Sequence, residues 1–201
     1  MDPGEQTFRA LLDAIAARTP TPGGGAAAAM AGELACALAS MVVNYSIGRK
    51  DLAAHETELR AALATLAIER SAMEHLAAED ARAYGEMNEA MQLPKGSPER
   101  PGRLAEAALA ATRPPMDVLR RSVALLELFE ELCTITNRNL RSDLAIAAVL
   151  AESAGRSAAW NIRANLPSLE RAEADAIGQG TDKLLRLAGE KARVIEKTAS
   201  S

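Results

Sequence analysis

Residues 19–32 read TPTPGGGAAAAMAG. Two prolines and three consecutive glycines leave bare backbone with unusual freedom, and the alanine run directly after them starts a helix. The stretch therefore predicts a glycine loop feeding a helix N-terminus, whose unpaired N–H groups suit an anion or the edge of a polar ligand. A tight structural turn explains the same residues. Within the helix that follows, over about residues 26–45, Ala28, Gly32, Cys36 and Ser40 recur every four residues from Gly24. Such a stripe of small side chains lets another backbone approach closely, which places this helix at the centre of a bundle or in a dimer interface.

The rest of the chain reads as helix too. Aromatic residues make up 2% of its 201 residues, and alternating Val/Ile/Thr runs are absent. A first helix is predicted over about 5–18, with Phe8, Leu11, Leu12 and Ile15 at helical spacing. SIGRKDL breaks the pattern before a long helix over about 52–91. After the loop LPKGSPERPG, a helix from about Pro101 is expected to stop at Pro114 and Pro115, because proline disrupts a helix interior. Another runs over about 116–132. Ser142 and Asp143 then look like the cap and first turn of a helix reaching Asn165, and a last helix covers about 169–197. The expectation is a single all-α domain over 1–201, a bundle of about six to eight helices. A helix of some 35 residues spans about 50 Å, so a homodimer is expected to cover its far end.

Composition narrows the function classes. A net charge of −4 with no dominant basic stretch argues against nucleic acid as a partner. The apolar run over 26–43 approaches the length of a membrane span, but Glu33 sits near its middle at a cost of roughly 2.5–3.5 kcal/mol. A buried helix is the expectation, with no membrane partner. The polar N-terminus MDPGEQTFRA does not look like a signal peptide, and Cys36 and Cys133 are distant from one another; both point to a cytoplasmic protein with reduced thiols. The glycines lack the Lys and hydroxyl of a P-loop and the preceding strand of a dinucleotide site. His55 and His75 follow Leu52 and Ala72 by three residues, which excludes the Glu-x-x-His pattern of di-iron bundles. His75 and Glu79 stand four apart, a spacing better explained as a solvated helical pair than as a chelate.

Three polar clusters remain inside apolar helices. Asp80 and Tyr84 share a helical face in EDARAYGEM. Asn137, Asn139, Ser142 and Asp143 crowd TNRNLRSDL, where loop and cap roles are the plain alternative. Asn161 and Asn165, four apart in AAWNIRANL, need hydrogen-bond partners if buried.

In combination these segments are specific. TPTPGGGAAAAMAG, SMVVNYSIGRK, EDARAY, LPKGSPE, the Pro115 break, NRNLRSD and AAWNIRANL occur in one order. In that order the chain resembles the cyclodeaminase/cyclohydrolase family: the C-terminal domain of formiminotransferase-cyclodeaminase and stand-alone methenyltetrahydrofolate cyclohydrolases. The resemblance implies an all-α homodimer acting on tetrahydrofolate one-carbon units, with no metal or organic cofactor. It places the acid/base aspartate at Asp80, the Ser-Asp motif at Ser142 and Asp143, the glycine loop at Gly23, Gly24 and Gly25, and a basic turn at Gly48 and Arg49. Two departures stand out: Asp51-Leu52 follows the basic turn, and Thr136 replaces a glycine before Asn137.

The chemistry fits these residue types. A 5,10-methenyl bridge is a cationic amidinium, which a carboxylate stabilises while taking a proton from attacking water. Partial burial beside Tyr84 is expected to raise the Asp80 pKa toward a useful acid. Arg49 and Lys50 suit the anionic glutamate tail, and the asparagines and bare glycine backbone suit the pterin edge. Three functions are therefore weighed: methenyltetrahydrofolate cyclohydrolase first, formiminotetrahydrofolate cyclodeaminase second, and a non-catalytic folate- or protein-binding helical dimer third.

Overall fold

The computed structural model describes residues 7–200, and every regular element among them is helical. The α-helices are α1 (Phe8–Ala16), α2 (Gly24–Asn44), α3 (Glu56–Gln92), α4 (Arg100–Ile135), α5 (Arg141–Asn165) and α6 (Arg171–Ala199). Short 3-10 turns over Lys50–His55, Arg138–Leu140 and Leu166–Ser168 connect them. The expected all-α bundle is present with six helices. The first two residues of the helix predicted over about 5–18 lie outside those described, and Thr7 caps α1.

The helix α2 is central, packed between α3 and α5. Its small stripe explains how. Ala28, Gly32 and Cys36 are buried inside the subunit, and a Cβ on Gly32 would lie 2.9 Å from both Sδ and Cε of Met73 on α3. Ser40 donates its hydroxyl proton to the Cys36 carbonyl at 2.7 Å, so it adds no unsatisfied group. Because Met73 is flexible, Gly32→Ala is expected to be absorbed. Gly32→Leu overfills the contact, costing about 1–3 kcal/mol, which a urea midpoint shift would measure. An unshifted midpoint would remove Gly32 from the list of packing constraints.

One boundary was expected wrongly. Pro114 and Pro115 do not stop a helix; both lie buried in the middle of the 36-residue α4. Interior prolines cost about 3 kcal/mol, partly because each leaves a carbonyl one turn earlier without its donor. Pro115 frees the carbonyl of Ala111, and Asn165 Nδ2 donates to that oxygen at 3.2 Å. A side chain from α5 thus replaces the missing ladder bond. Asn165→Ala is expected to cost about 1–3 kcal/mol by leaving that carbonyl unpaired. The penalty should shrink in a Pro115→Ala background, where the backbone N–H returns; a double-mutant cycle with no coupling would contradict the assignment.

One more correction concerns an end. The cap of α5 is Leu140, with no side-chain cap bond, so Ser142 lies within the first turn instead of capping it. At the far end of the long α3, Met87 and Ala90 pack with Ala107 and Ala108 of α4, flanked by Leu104 and Leu169. The molecule therefore has two apolar cores. The larger joins α2, α3, α4, α5 and α6; the smaller sits at the tip of the α3–α4 hairpin.

Candidate active site

Between those two cores lies a polar level. The first turn of α2 begins at Gly24, with Gly23 as its cap and no side chain bonded to its free N–H groups. The glycines are thus the helix end itself, and their lack of side chains has a definite use. A Cβ on Gly25 would lie 2.0 Å from Asp80 Oδ2, so the carboxyl of α3 rests directly on bare α2 backbone. A Cβ on Gly24 would lie 3.4 Å from Oδ1 of Asn161 on α5. Gly25, Asp80, Asn161, Pro114 and Pro115 line one narrow crevice with Leu76, Ala158 and neighbouring apolar side chains, packed too closely to admit a water molecule.

Asp80 is half-buried there and makes no hydrogen bond or ion pair among the described residues. Burial alone pushes its pKa above the ordinary aspartate value. Tyr84, one turn further along α3, is 46% exposed and does not line the crevice. Asn165 is also half-buried, but its amide is committed to the carbonyls of Ala111 and Asn161. Through its Nδ2 it braces α4 beside the crevice.

The second cluster lies elsewhere. The helices α2 and α5 run antiparallel, so the start of α5 meets the end of α2: Asn137 N donates to Ser46 Oγ at 2.9 Å. Asn137 Oδ1 in turn accepts from Asn139 N at 3.1 Å. Asp143 is half-buried in the first turn of α5, eighteen residues and about 27 Å of helix from Asn161. Arg49 is at this same end, gripped by Asp51 through two bonds of 3.1 and 2.9 Å, while Lys50 is exposed. Within one chain, then, Gly23, Gly24, Gly25, Asp80 and Asn161 come together. Arg49, Lys50, Asn137, Asn139, Ser142 and Asp143 form a separate group at the opposite end of α2. Among the described residues no cluster of three or more ligating side chains is placed to hold a metal ion, and His75 Nδ1 is spent on the Ser71 carbonyl.

Residues 7–179 match the formiminotransferase-cyclodeaminase family. The chain belongs to it. Among family members, it is 34% identical to the methenyltetrahydrofolate cyclohydrolase of Methylorubrum extorquens, over 98% of each chain. It is 30% identical to the formimidoyltransferase-cyclodeaminase of Mus musculus, covering 82% of this chain and 31% of that longer protein. The crystal structure of formiminotetrahydrofolate cyclodeaminase from Thermotoga maritima superposes with a TM-score of 0.91 at 26% identity, over 98% and 97% of the two chains.

A second opening in this family member shares no residue with the crevice. It is a groove of about 660 Å³ between α1, α2 and α3, lined by Phe8, Leu11, Met30, Leu34 and Ala37 among others. Glu33 lies in it, its pKa raised by burial and then by Glu74, with Arg70 opposing. Sequence reasoning missed the proline wall and the groove. The prolines were legible only by pairing each carbonyl they free with a spare amide elsewhere, as Asn165 provides.

Proposed function

We propose that the chain is a methenyltetrahydrofolate cyclohydrolase, hydrolysing 5,10-methenyltetrahydrofolate to 10-formyltetrahydrofolate. The end-to-end similarity to a protein of that name supports the substrate and reaction. The observation that carries the mechanism is Asp80: an unpaired carboxyl, desolvated beside the free N–H groups of a helix start. There it stabilises the cationic bridge and accepts a proton as water attacks the bridging carbon. Collapse of the tetrahedral adduct breaks the N5–carbon bond as N5 takes the proton back, the adduct's hydroxyl loses its proton to solvent to become the carbonyl, and the formyl group stays on N10. Raising the Asp80 pKa by burial makes that return step easier near neutrality. The uncapped N–H groups of Gly24 and Gly25 and the side chain of Asn161 supply polar partners at the same end. The reaction as written uses no metal or organic cofactor, in a cytoplasmic homodimer.

The cyclodeaminase reaction is the second reading, favoured by the structural neighbour and by the family's description. It passes through a similar tetrahedral carbon but expels ammonia and closes the ring. Supplying each folate in turn separates the two. Loss of methenyl absorbance above the spontaneous rate marks the hydrolase, and its appearance from the formimino compound with ammonia release marks the deaminase. Neither signal would leave a folate- or protein-binding module.

A further inference from the structure

The two interior prolines of α4 free two backbone carbonyls, and a side chain repairs only one of them. A helical proline has no N–H for the carbonyl four residues earlier. Pro115 frees Ala111, whose oxygen accepts the Asn165 amide at 3.2 Å. Pro114 frees Ala110, and no side-chain donor among the described residues reaches that oxygen. A carbonyl left in this way calls for a donor from outside the chain. Its position follows from contacts on either side of it. The helices α3 and α4 pack as an antiparallel hairpin. Near the tip Arg100 Nη2 donates to the Met91 carbonyl at 3.2 Å, and nearer the base Arg121 Nη1 donates to Glu69 Oε2 at 2.8 Å. Eleven residues on from Glu69 and eleven back from Arg121 stand Asp80 and Ala110. Counting from the tip, eleven back from Met91 and ten on from Arg100, reaches the same pair. Asp80 and Pro114 also line one crevice, so the match of levels is a match in space.

We propose that the backbone carbonyl of Ala110 is a second acceptor in the site, and that it and the Asp80 carboxyl hold the attacking water between them. This role rests on the hydrolytic reaction proposed above. The crevice admits no water, but Asp80 and Ala110 are each only half-buried, which puts the water at its mouth. A water that attacks carbon turns a lone pair toward it, and its two protons then need acceptors on the other side. Asp80 takes one proton as base. The carbonyl is too weak a base to take the other, so it accepts a hydrogen bond and fixes the water's rotation before attack. As the carbon–oxygen bond forms, one O–H bond breaks toward Asp80 and the second stays on the adduct, still donated to Ala110. That last proton leaves to solvent when the adduct collapses to the formyl group. The adjacent prolines therefore have different tasks. Pro115, with Asn165, makes the wall firm; Pro114 withholds an N–H so that an acceptor stays open beside the base.

Pro114→Ala in the full chain tests this, because it returns an N–H to the Ala110 oxygen and alters no other polar group. With 5,10-methenyltetrahydrofolate, corrected for spontaneous hydrolysis, kcat should fall about 10-fold or more while KM stays within about two-fold of wild type, since the water is positioned for the chemical step and not for binding. The urea midpoint should rise at the same time, because an interior proline is removed. A proline with a merely structural role would move stability and turnover together. Pro114→Val returns the same N–H while keeping the buried bulk, so its kcat should fall as far, and it keeps the test decisive if alanine leaves a damaging void. Pro115→Ala also restores a rung to α4, but offers it to an oxygen that Asn165 already serves, so its loss of kcat should be clearly smaller. Near-normal kcat in both Pro114 variants, beside an active wild type, would overturn the role of Ala110 and leave the reaction standing. Equal losses at Pro114 and Pro115 would overturn it as well, tracing the effect to the backbone of α4 as a whole. So would a raised KM with kcat kept, which would place Pro114 in binding. A wild-type chain that does not hydrolyse the methenyl compound would overturn the reaction and this role together.

Discussion

Asp80→Asn is expected to lower turnover by about 10² or more while folate still binds, because the amide keeps size and hydrogen bonding but cannot take a proton. Helical content and mass should be unchanged, since Asp80 makes no hydrogen bond or ion pair among the described residues on which the fold could depend. The same substitution should stabilise the protein at neutral pH. The folded-state pKa of Asp80 is raised above the ordinary value of 3.8 by burial, so the folded protein favours the protonated form. The associated stability is full below 3.8 and is lost as pH rises through the raised value. The amide that replaces the carboxyl does not titrate, so the variant's thermal midpoint should exceed that of wild type at pH 7 and match it in acid. An active site that is costly to fold produces this opposition of stability and turnover. Asp143→Asn should do far less, removing only a favourable charge from the first turn of α5, worth about 0.3–1 kcal/mol. Near-normal turnover in Asp80→Asn with collapse in Asp143→Asn would exchange the two roles.

Gly25→Ala is the second large effect. Alanine is the better helix former, so local propensity favours the change by about 1 kcal/mol. Yet its Cβ would fall 2.0 Å from Asp80 Oδ2, 2.2 Å from Cγ and 2.5 Å from Oδ1, and the carboxyl must leave its place. Displacement of a reacting group by about 1 Å can cost 10²-fold, so turnover should drop by about that factor. The telling comparison is with Gly24→Ala, whose Cβ would meet Asn161 Oδ1 at an ordinary 3.4 Å. Steady-state rates for the pair should differ widely while both fold. Equal rates would mean that the carboxyl is not held where it acts.

Most of the helical architecture was legible because it follows from short-range chemistry. Small residues every four positions marked α2 as central, and its neighbours are α3 and α5 as a bundle requires. The cores of α3 and α5 follow helical spacing, so their extents were within a few residues of those observed. Pro114 and Pro115 defeated the local rule, because the donor that offsets their cost comes from Asn165, 54 positions from the carbonyl it serves. The Asp80 site was legible in its members and not in its grouping. Gly25 and Asp80 meet only because α2 and α3 run antiparallel at one level, and sequence distance carries no sign of that. The separation of Asp143 from Asn161, by contrast, follows from their eighteen-residue spacing along α5. Arg49 shows a milder case: Asp51, already noted as a departure, turns out to occupy the guanidinium.

The division of the apolar interior into two cores has a further meaning. The tip of the α3–α4 hairpin is held by Met87, Ala90, Ala107 and Ala108, with Leu104 and Leu169 at its margin, and by little else that is large. The main body has Phe129, Leu59, Leu66, Leu119, Leu125 and Leu144 fully enclosed. Local stability follows buried apolar contact, so the two units open at different free energies. The tip can fray and reclose while the body stays folded, and the boundary between them runs through the level of Asp80 and the proline pair. There the backbone ladder of α4 already lacks two rungs, so the crevice sits where the weaker unit meets the stronger one.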